Sequence, residues 1–319
     1  MPNEPKLHHF LPQSYLRRFA DERGELWVAD RKQGRVRKQT PEVTAAERDM
    51  YTLEGDAGER DRRVESVFLA DLVDGPGDQA LRAIDEGGQF SDEVAAKLAV
   101  FVAGLYVRTP SFREQHRQMA EQMRGFLVSE GVEPASHPES QHLRASSGVR
   151  ADKLMASLNE MRDGRRPYQN DFVKMMMTLV PQLAETIHGL DWFVASAPAG
   201  KAFVTCDAPV VITRPENHSP LMGVGLSTPG SLTIVPLSSR VALMLGDKAA
   251  RPRVIPMTID RDRLRWINEA LMLGCERFTI GRSKALIESL LLATKIGGSS
   301  SPPRSQILGG DRSDSDRAR

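Results

Sequence analysis

The chain has 319 residues, 40% of them hydrophobic, which suffices for a sizeable core in one large domain or two that share an interface. A formal net charge of +1 supplies no global field toward nucleic acid or an anionic membrane, and the two cysteines, Cys206 and Cys275, give neither a disulfide framework nor a Cys-x-x-Cys zinc spacing. The first six residues lack the pattern of a secretory signal, and the most apolar run, residues 98–107, is too short to span a bilayer. The expectation is a soluble protein of the reducing cytoplasm with no membrane partner.

In chain order, the first informative stretch is residues 8–19, His-His-Phe-Leu-Pro-Gln-Ser-Tyr-Leu-Arg-Arg-Phe. Two imidazoles precede a proline, and Tyr15, Leu16 and Phe19 then share one face of a short helix, so this start must dock into the body of the protein. Residues 25–30 read as a strand, and Gly34 with residues 35–37 as its hairpin return. Arg31, Lys32, Arg35, Arg37 and Lys38 make that hairpin locally basic, which suits phosphate but also describes the wet side of an exposed antiparallel pair. Val64, Val67, Phe68, Asp71 and Leu72 follow helical spacing, and a second short helix covers residues 79–84.

Ser91 caps a longer helix, with Asp92 and Glu93 complementing the dipole in its first turn. Its apolar stripe runs Val94, Leu98, Phe101, Leu105, and the series continues to Arg108 and Phe112. Arg108 therefore lies on a buried face, where a guanidinium needs a carboxylate or a bound anion. Thr109-Pro110 breaks the helix, because proline lacks a donor and clashes with the preceding turn. Residues 113–124 are helical and polar, residues 131–148 form a linker carrying His137 and His142, and helices cover residues 151–162 and 171–190, the latter with methionines at core spacing.

The final third reads as strands at residues 192–196, 202–206, 209–213, 232–235 and 241–245, whose tight connections favour antiparallel pairing. Gly223-Val224-Gly225 lacks the strand-to-helix context of a nucleotide loop. A helix at 260–273, a strand at 276–280 and a closing helix at 284–292 follow. The predicted fold is α+β: a helical middle segment packed on a small, mainly antiparallel sheet from the N-terminal hairpin and the C-terminal third. Residues 6–296 are expected to form one globular domain, with a helical subregion about 62–190, a strand-rich subregion about 191–282, and a disordered tail at 297–319.

With these residues in view, the chain resembles a bacterial family known as domain of unknown function 4238. The likeness rests on His9 with Pro12, Gln13, Tyr15, Leu16 and Phe19, the strand ending in Asp30, Arg108-Thr109-Pro110, Asp207 with Pro209-Val210, Pro236-Leu237-Ser238, and Asn268. These occur in the family's order over residues 6–282. The resemblance implies no activity, substrate or cofactor. The chain departs from the family at residues 206–209, where the family tends to carry Ser-Asp-Asn-Pro and this chain has Cys-Asp-Ala-Pro, so no mechanism can use that Asn amide here.

Two readings of function follow. In the first, His9, Asp207, Arg108 and Asn268 form a catalytic site, with His8, His9 and Asp207 as ligands of a divalent metal and Arg108 holding a substrate anion. That constellation fits a metal-assisted hydrolase of a phosphorylated or nucleic-acid substrate, in a defence or toxin setting. In the second, the chain is a non-catalytic binding or scaffold protein whose polar motif residues are structural: His9 bonds a strand carbonyl, Asp207 turns onto its own backbone ahead of Pro209, and Arg108 pairs with Asp207. Other templates are missing from the sequence: it has no Gly-x-Ser-x-Gly elbow, no P-loop and no His-Glu-x-x-His.

Overall fold

The computed structural model describes residues 7–55, 58–86, 90–129, 159, 168–215, 218–219, 223–249 and 254–296. The expected linker at 131–148 with His137 and His142, all but one residue of the expected helix at 151–162, and the expected tail at 297–319 lie outside the described residues. Among the described residues no helix is long and apolar enough to cross a membrane.

The chain opens with strand β1 (Leu7–His9), helix α1 (Gln13–Arg17), the hairpin β2 (Leu26–Asp30) and β3 (Arg35–Gln39), and strand β4 (Ala46–Arg48). Gly34 turns the hairpin at φ 64°, a left-handed conformation that suits glycine. The two histidines sit in β1, antiparallel to β4, rather than in the entry to a helix, because residues 46–48 supply the backbone partner that β1 needs. A short pair, β5 (Leu53–Glu54) and β6 (Arg60–Asp61), leads into a π-helix, Val64–Asp74, which runs directly into α2 (Gly75–Asp85).

The π-helix corrects the expected apolar stripe. Its bonds step five residues, as the Gly75 amide does in donating to the Ala70 carbonyl, so the buried side chains are Val64, Leu69 and Val73, spaced by five and four. Val67 and Leu72, inward on α-helical spacing, are exposed. Pro76 occupies the first turn of α2, where its missing N–H is tolerated.

Helix α3 (Asp92–Val107) starts as expected, the Val94 amide donating to Ser91 Oγ at 3.2 Å, and stops before Thr109-Pro110. Helix α4 (Pro110–Ser129) follows, then α5 (Tyr168–His188), which packs along α3. The π-helix and α2 approach α3 closely through two glycines. A Cβ at Gly104 would stand 2.4 Å from Val73 Cγ1, and one at Gly77 would stand 2.3 Å from Phe101 Cδ2. This contact brings the end of the π-helix against the end of α3.

The last third contains β7 (Leu190–Ser196), β8 (Thr205–Cys206), β9 (Val211–Thr213), β10 (Leu232–Pro236), β11 (Val241–Lys248), β12 (Val254–Thr258), helix α6 (Arg261–Gly274), β13 (Phe278–Gly281) and helix α7 (Lys284–Ile296). The architecture is α+β, as expected, with mostly antiparallel pairing. The strands form more than one small sheet. One has five strands in the order β12-β7-β11-β10-β9, and another has four in the order β3-β2-β13-β8, so the N-terminal hairpin is completed by C-terminal strands. Strand β12 was not foreseen; it carries Pro256, which an edge strand accommodates, and it runs parallel to β7. The expected strand at 202–206 shrinks to its last two residues, which pair with β13, while β9 joins the other sheet; Pro209, lacking an N–H, lies in the step between them.

The five-stranded sheet is buried on both faces. Val235, Leu243 and Leu245 join one core with Tyr15, Phe101, Phe172 and Trp192, while the alternate residues Ile234, Ala242 and Met244 join a second with Phe203, Ile267 and Leu271 of α6. Tyr15 ties the docked start to both sheets. Its hydroxyl donates to the Pro236 carbonyl at 2.8 Å and shares a 2.7 Å hydrogen bond with Thr205 Oγ1.

Candidate active site

Alternation along β1 sends the two adjacent imidazoles to opposite sides. His8 is fully buried and stacks on the Tyr51 ring, centroids 5.7 Å apart and planes within 7°. The Tyr51 amide donates to His8 Nδ1 at 2.9 Å, so Nδ1 is the unprotonated nitrogen of that ring. His9 turns to a cleft. Its Nε2 lies 3.0 Å from the Glu42 carbonyl, and a carbonyl only accepts, so Nε2 carries the hydrogen and Nδ1 is left as the acceptor. Gln13, the first residue of α1, places its amide 3.5 Å from the same Nε2.

The facing wall of the cleft is the π-helix and the start of α2. The cleft has a volume of about 350 Å³ and is lined by His9, Gln13, Glu65, Leu69, Asp74 and Asp78, among others. Glu65 accepts a hydrogen bond from the His9 amide on Oε1 at 3.1 Å, whereas its buried Oε2 has no hydrogen-bond partner and stands 3.7 Å from His8 Nδ1. Only 20% of the Glu65 side chain is exposed. Burial pushes its carboxyl up to about 7; the Asp74 charge adds to this, and the His9 amide and the Arg108 charge oppose it.

Asp74, at the end of the π-helix, receives Arg108 Nη1 at 2.7 Å. This is the carboxylate that a buried arginine required, and it corrects the expected pairing of Arg108 with Asp207. Arg108 is fully buried at the C-terminal end of α3, its guanidinium carbon 6.0 Å from the Phe101 ring centre, and its backbone carbonyl accepts from the Tyr51 hydroxyl at 2.7 Å. Its Nε and Nη2 have no hydrogen-bond partner. Burial raises the Asp74 carboxyl as well, against the pull of Arg108. One cluster thus joins His8, His9, Glu65, Asp74 and Arg108, and it contains three of the five site residues expected from sequence.

The other two are held elsewhere. Asp207 accepts from the Glu276, Arg277 and Phe278 amides at 2.7–2.9 Å, clamping the turn ahead of β13 rather than closing a turn onto its own backbone. Burial pushes its carboxyl up to about 6 even against those three bonds. Asn268 spans the chain before β8: its Oδ1 accepts from the Val204 amide and its Nδ2 donates to the Ala202 carbonyl, both at 3.0 Å. Neither residue lines the His9 cleft. Among the described residues no group of three or more His, Cys, Asp or Glu side chains is disposed to hold a metal ion.

Two of the five cations of the basic hairpin are ion-paired. Lys32 pairs with Glu276, Lys38 with Glu25, and Arg31 donates to the Leu273 carbonyl. Both cysteines are free and buried, and burial raises both thiols, which keeps them protonated.

The model of the family described as "Protein of unknown function (DUF4238)" matches residues 7–285, most of the chain. The chain belongs to this DUF4238 family. No curated protein and no solved structure matches it. The DUF4238 match runs from β1 through β13, so the cleft, the Arg108–Asp74 pair and both scaffold clamps all lie inside the family region.

Sequence reasoning passed over Glu65 and Asp74. Arg108 carried the signal that a carboxylate must exist, but its identity depends on a π-helix that α-helical spacing cannot reveal.

Proposed function

We propose that this chain is a hydrolase with an acid–base centre formed by Glu65 and His9. The observation that supports this best is the Glu65 carboxyl: four-fifths buried, fixed through Oε1 by the His9 amide, its buried Oε2 without a hydrogen-bond partner, on a residue that lines the same cleft as His9. A carboxyl that titrates near neutral pH is protonated often enough to act as an acid and ionises readily enough to be recharged. In this reading His9 Nδ1 takes a proton from water as the water attacks, and Glu65 delivers its proton to the departing group. The imidazolium and the carboxylate then exchange that proton through solvent, restoring both.

This reading differs from a metal-assisted one in its residues. Of the metal donors expected from sequence, His8 Nδ1 is engaged by the Tyr51 amide and both Asp207 oxygens are engaged by backbone amides. The cleft volume suits a small molecule better than a polymer, and two of the five hairpin cations are held by Glu276 and Glu25. The scaffold reading retains support at Asp207 and Asn268, whose partners are all backbone groups.

The test compares leaving groups. Matched esters and phosphoesters with p-nitrophenol and with a simple alkyl alcohol are offered to wild type, Glu65→Gln and His9→Gln. The expected result is that Glu65→Gln loses most of its rate on the alkyl substrates but far less on the p-nitrophenyl ones, whose leaving group needs no proton, while His9→Gln slows both. Full activity in both variants on every substrate that wild type cleaves would overturn the proposal.

A further inference from the structure

A second cavity, also of about 350 Å³, shares no lining residue with the His9 cleft. It lies where three elements break off. Tyr106, near the end of α3, and Thr109, Ser111, Phe112 and Gln115, around the start of α4, line one part of it, because Thr109-Pro110 interrupts the helix there. Another part of the wall is the step from β8 to β9, through Ala208 and Val211, and the end of α6 at Gly274. A Cβ at Gly274 would stand 2.8 Å from Val211 Cγ2, so glycine lets the helix end close on that strand. The wall reaches the surface: Gln115, Gly274 and Glu276 are exposed, and Tyr106, Phe112 and Val224 are half-buried.

The lining mixes aromatic and aliphatic groups with a few polar ones. The Tyr106 and Phe112 ring centres lie 5.5 Å apart with their planes at 57°, and aromatic groups attract a further ring in edge-to-face or offset contact. The Thr109 and Ser111 hydroxyls share a 3.0 Å hydrogen bond, and neither the Tyr106 hydroxyl nor the Gln115 carboxamide bonds another described residue. Among the described residues no lysine or arginine lines the cavity, and the one charged lining residue, Glu276, pairs with Lys32 at 3.3 Å.

We propose that this cavity binds a small uncharged bicyclic aromatic molecule carrying one hydrogen-bonding group, of the size of indole. Volume sets the size. An apolar cavity of about 150 Å³ holds a single benzene ring, and small-molecule sites begin near about 300 Å³, so this cavity has room for two fused rings. The Tyr106–Phe112 pair favours a flat aromatic body, and the free polar groups of Tyr106 and Gln115 supply partners for its one polar group. Charge sets the rest: an anion would meet no cation in the wall, and a cation would have to displace Lys32 from Glu276. The inference is independent of the hydrolase reading, because the two cavities share no residue.

The experiment measures binding of indole, indole-3-carboxylate and tryptamine to the full chain by calorimetry at pH 7. The three share one ring system and differ in charge. Wild type is expected to bind indole, and to bind the carboxylate and the amine at least tenfold more weakly. Val224→Phe and Ala208→Leu, which add volume to the wall, are each expected to weaken indole binding at least tenfold, and Phe112→Ala at least fivefold. Melting curves establish which variants are folded, and the two enlarged variants stand in for one another. His9→Gln and Glu65→Gln, in the other cleft, are expected to bind indole as wild type does. No binding of indole by wild type, or undiminished binding in every folded wall variant, overturns the inference. Indole-3-carboxylate or tryptamine bound as tightly as indole overturns the assignment of an uncharged ligand. Indole binding lost in His9→Gln and kept in the wall variants puts the ligand in the His9 cleft and overturns the inference as well.

Discussion

Arg108 Nη1 stands 2.7 Å from Asp74 Oδ1, and this pair joins the C-terminal end of α3 to the end of the π-helix behind the cleft. Removing one partner of a buried pair leaves an uncompensated charge, which costs about 3–5 kcal/mol. Asp74→Ala is expected to lower the unfolding free energy by about that amount in urea denaturation. The exposed pair Arg82–Asp78, one turn further along, should lose less than about 1 kcal/mol on Arg82→Ala. Equal losses from the two would contradict the burial argument.

Stability should also fall with pH in a defined window. The Glu65 carboxyl is held at about 7 in the folded protein and returns to about 4.3 in the unfolded chain. The folded state therefore binds the proton more tightly, its contribution is complete below about pH 4, and it is lost as pH rises through 7. The loss is on the order of 4 kcal/mol across that window. Asp207, pushed up to about 6, adds to the same slope in its lower half. Melting temperatures from pH 5 to pH 8 are expected to drop less steeply in Glu65→Gln than in wild type, and parallel curves would show that Glu65 titrates normally.

The glycine contacts make a purely steric prediction. At Gly77 an added methyl would stand 2.3 Å from Phe101 Cδ2, and at Gly104 2.4 Å from Val73 Cγ1, so neither α2 nor the π-helix can keep its separation from α3. Gly77→Ala and Gly104→Ala are each expected to destabilise by about 1–3 kcal/mol in spite of alanine's better helix propensity. Gly125, where a methyl meets nothing within 4 Å, is the control, and Gly125→Ala should be neutral or stabilising.

Asp207 separates scaffold from chemistry. Three amides depend on its carboxylate, so Asp207→Ala should cost on the order of 3 kcal/mol. Its melting temperature should fall, while the increments produced by Mn²⁺, Mg²⁺ and Zn²⁺ should match those of wild type. A metal-dependent rise present in wild type and abolished in Asp207→Ala would restore the metal-assisted reading, because a ligand that binds only the folded state must raise the melting temperature.

How much of this was legible in the sequence varies with the physical range of each signal. The docking of Tyr15, Leu16 and Phe19, the Ser91 cap and the break at Thr109-Pro110 were readable, because each depends on residues within a few positions of one another. The burial of Arg108 and its need for a carboxylate were readable from one interrupted apolar stripe. Its partner was not, because Asp74 reaches it only through a π-helix whose five-residue step defeats a 3.6-residue template. His8 and His9 were found as a motif, but their separation, one ring stacked on Tyr51 and the other in a cleft, depends on pairing with β4 nearly 40 residues away. Asp207 and Asn268 drew attention as polar groups in apolar surroundings, and both prove to be clamps on backbone that no local pattern identifies.

The most direct measurement is a pH titration of the glutamate side-chain carboxyl carbons by ¹³C NMR, in wild type and in Glu65→Gln. One resonance, absent from the variant, is expected to titrate near pH 7. A Glu65 resonance titrating below pH 5 would contradict the account by removing the proton that the acid–base centre requires.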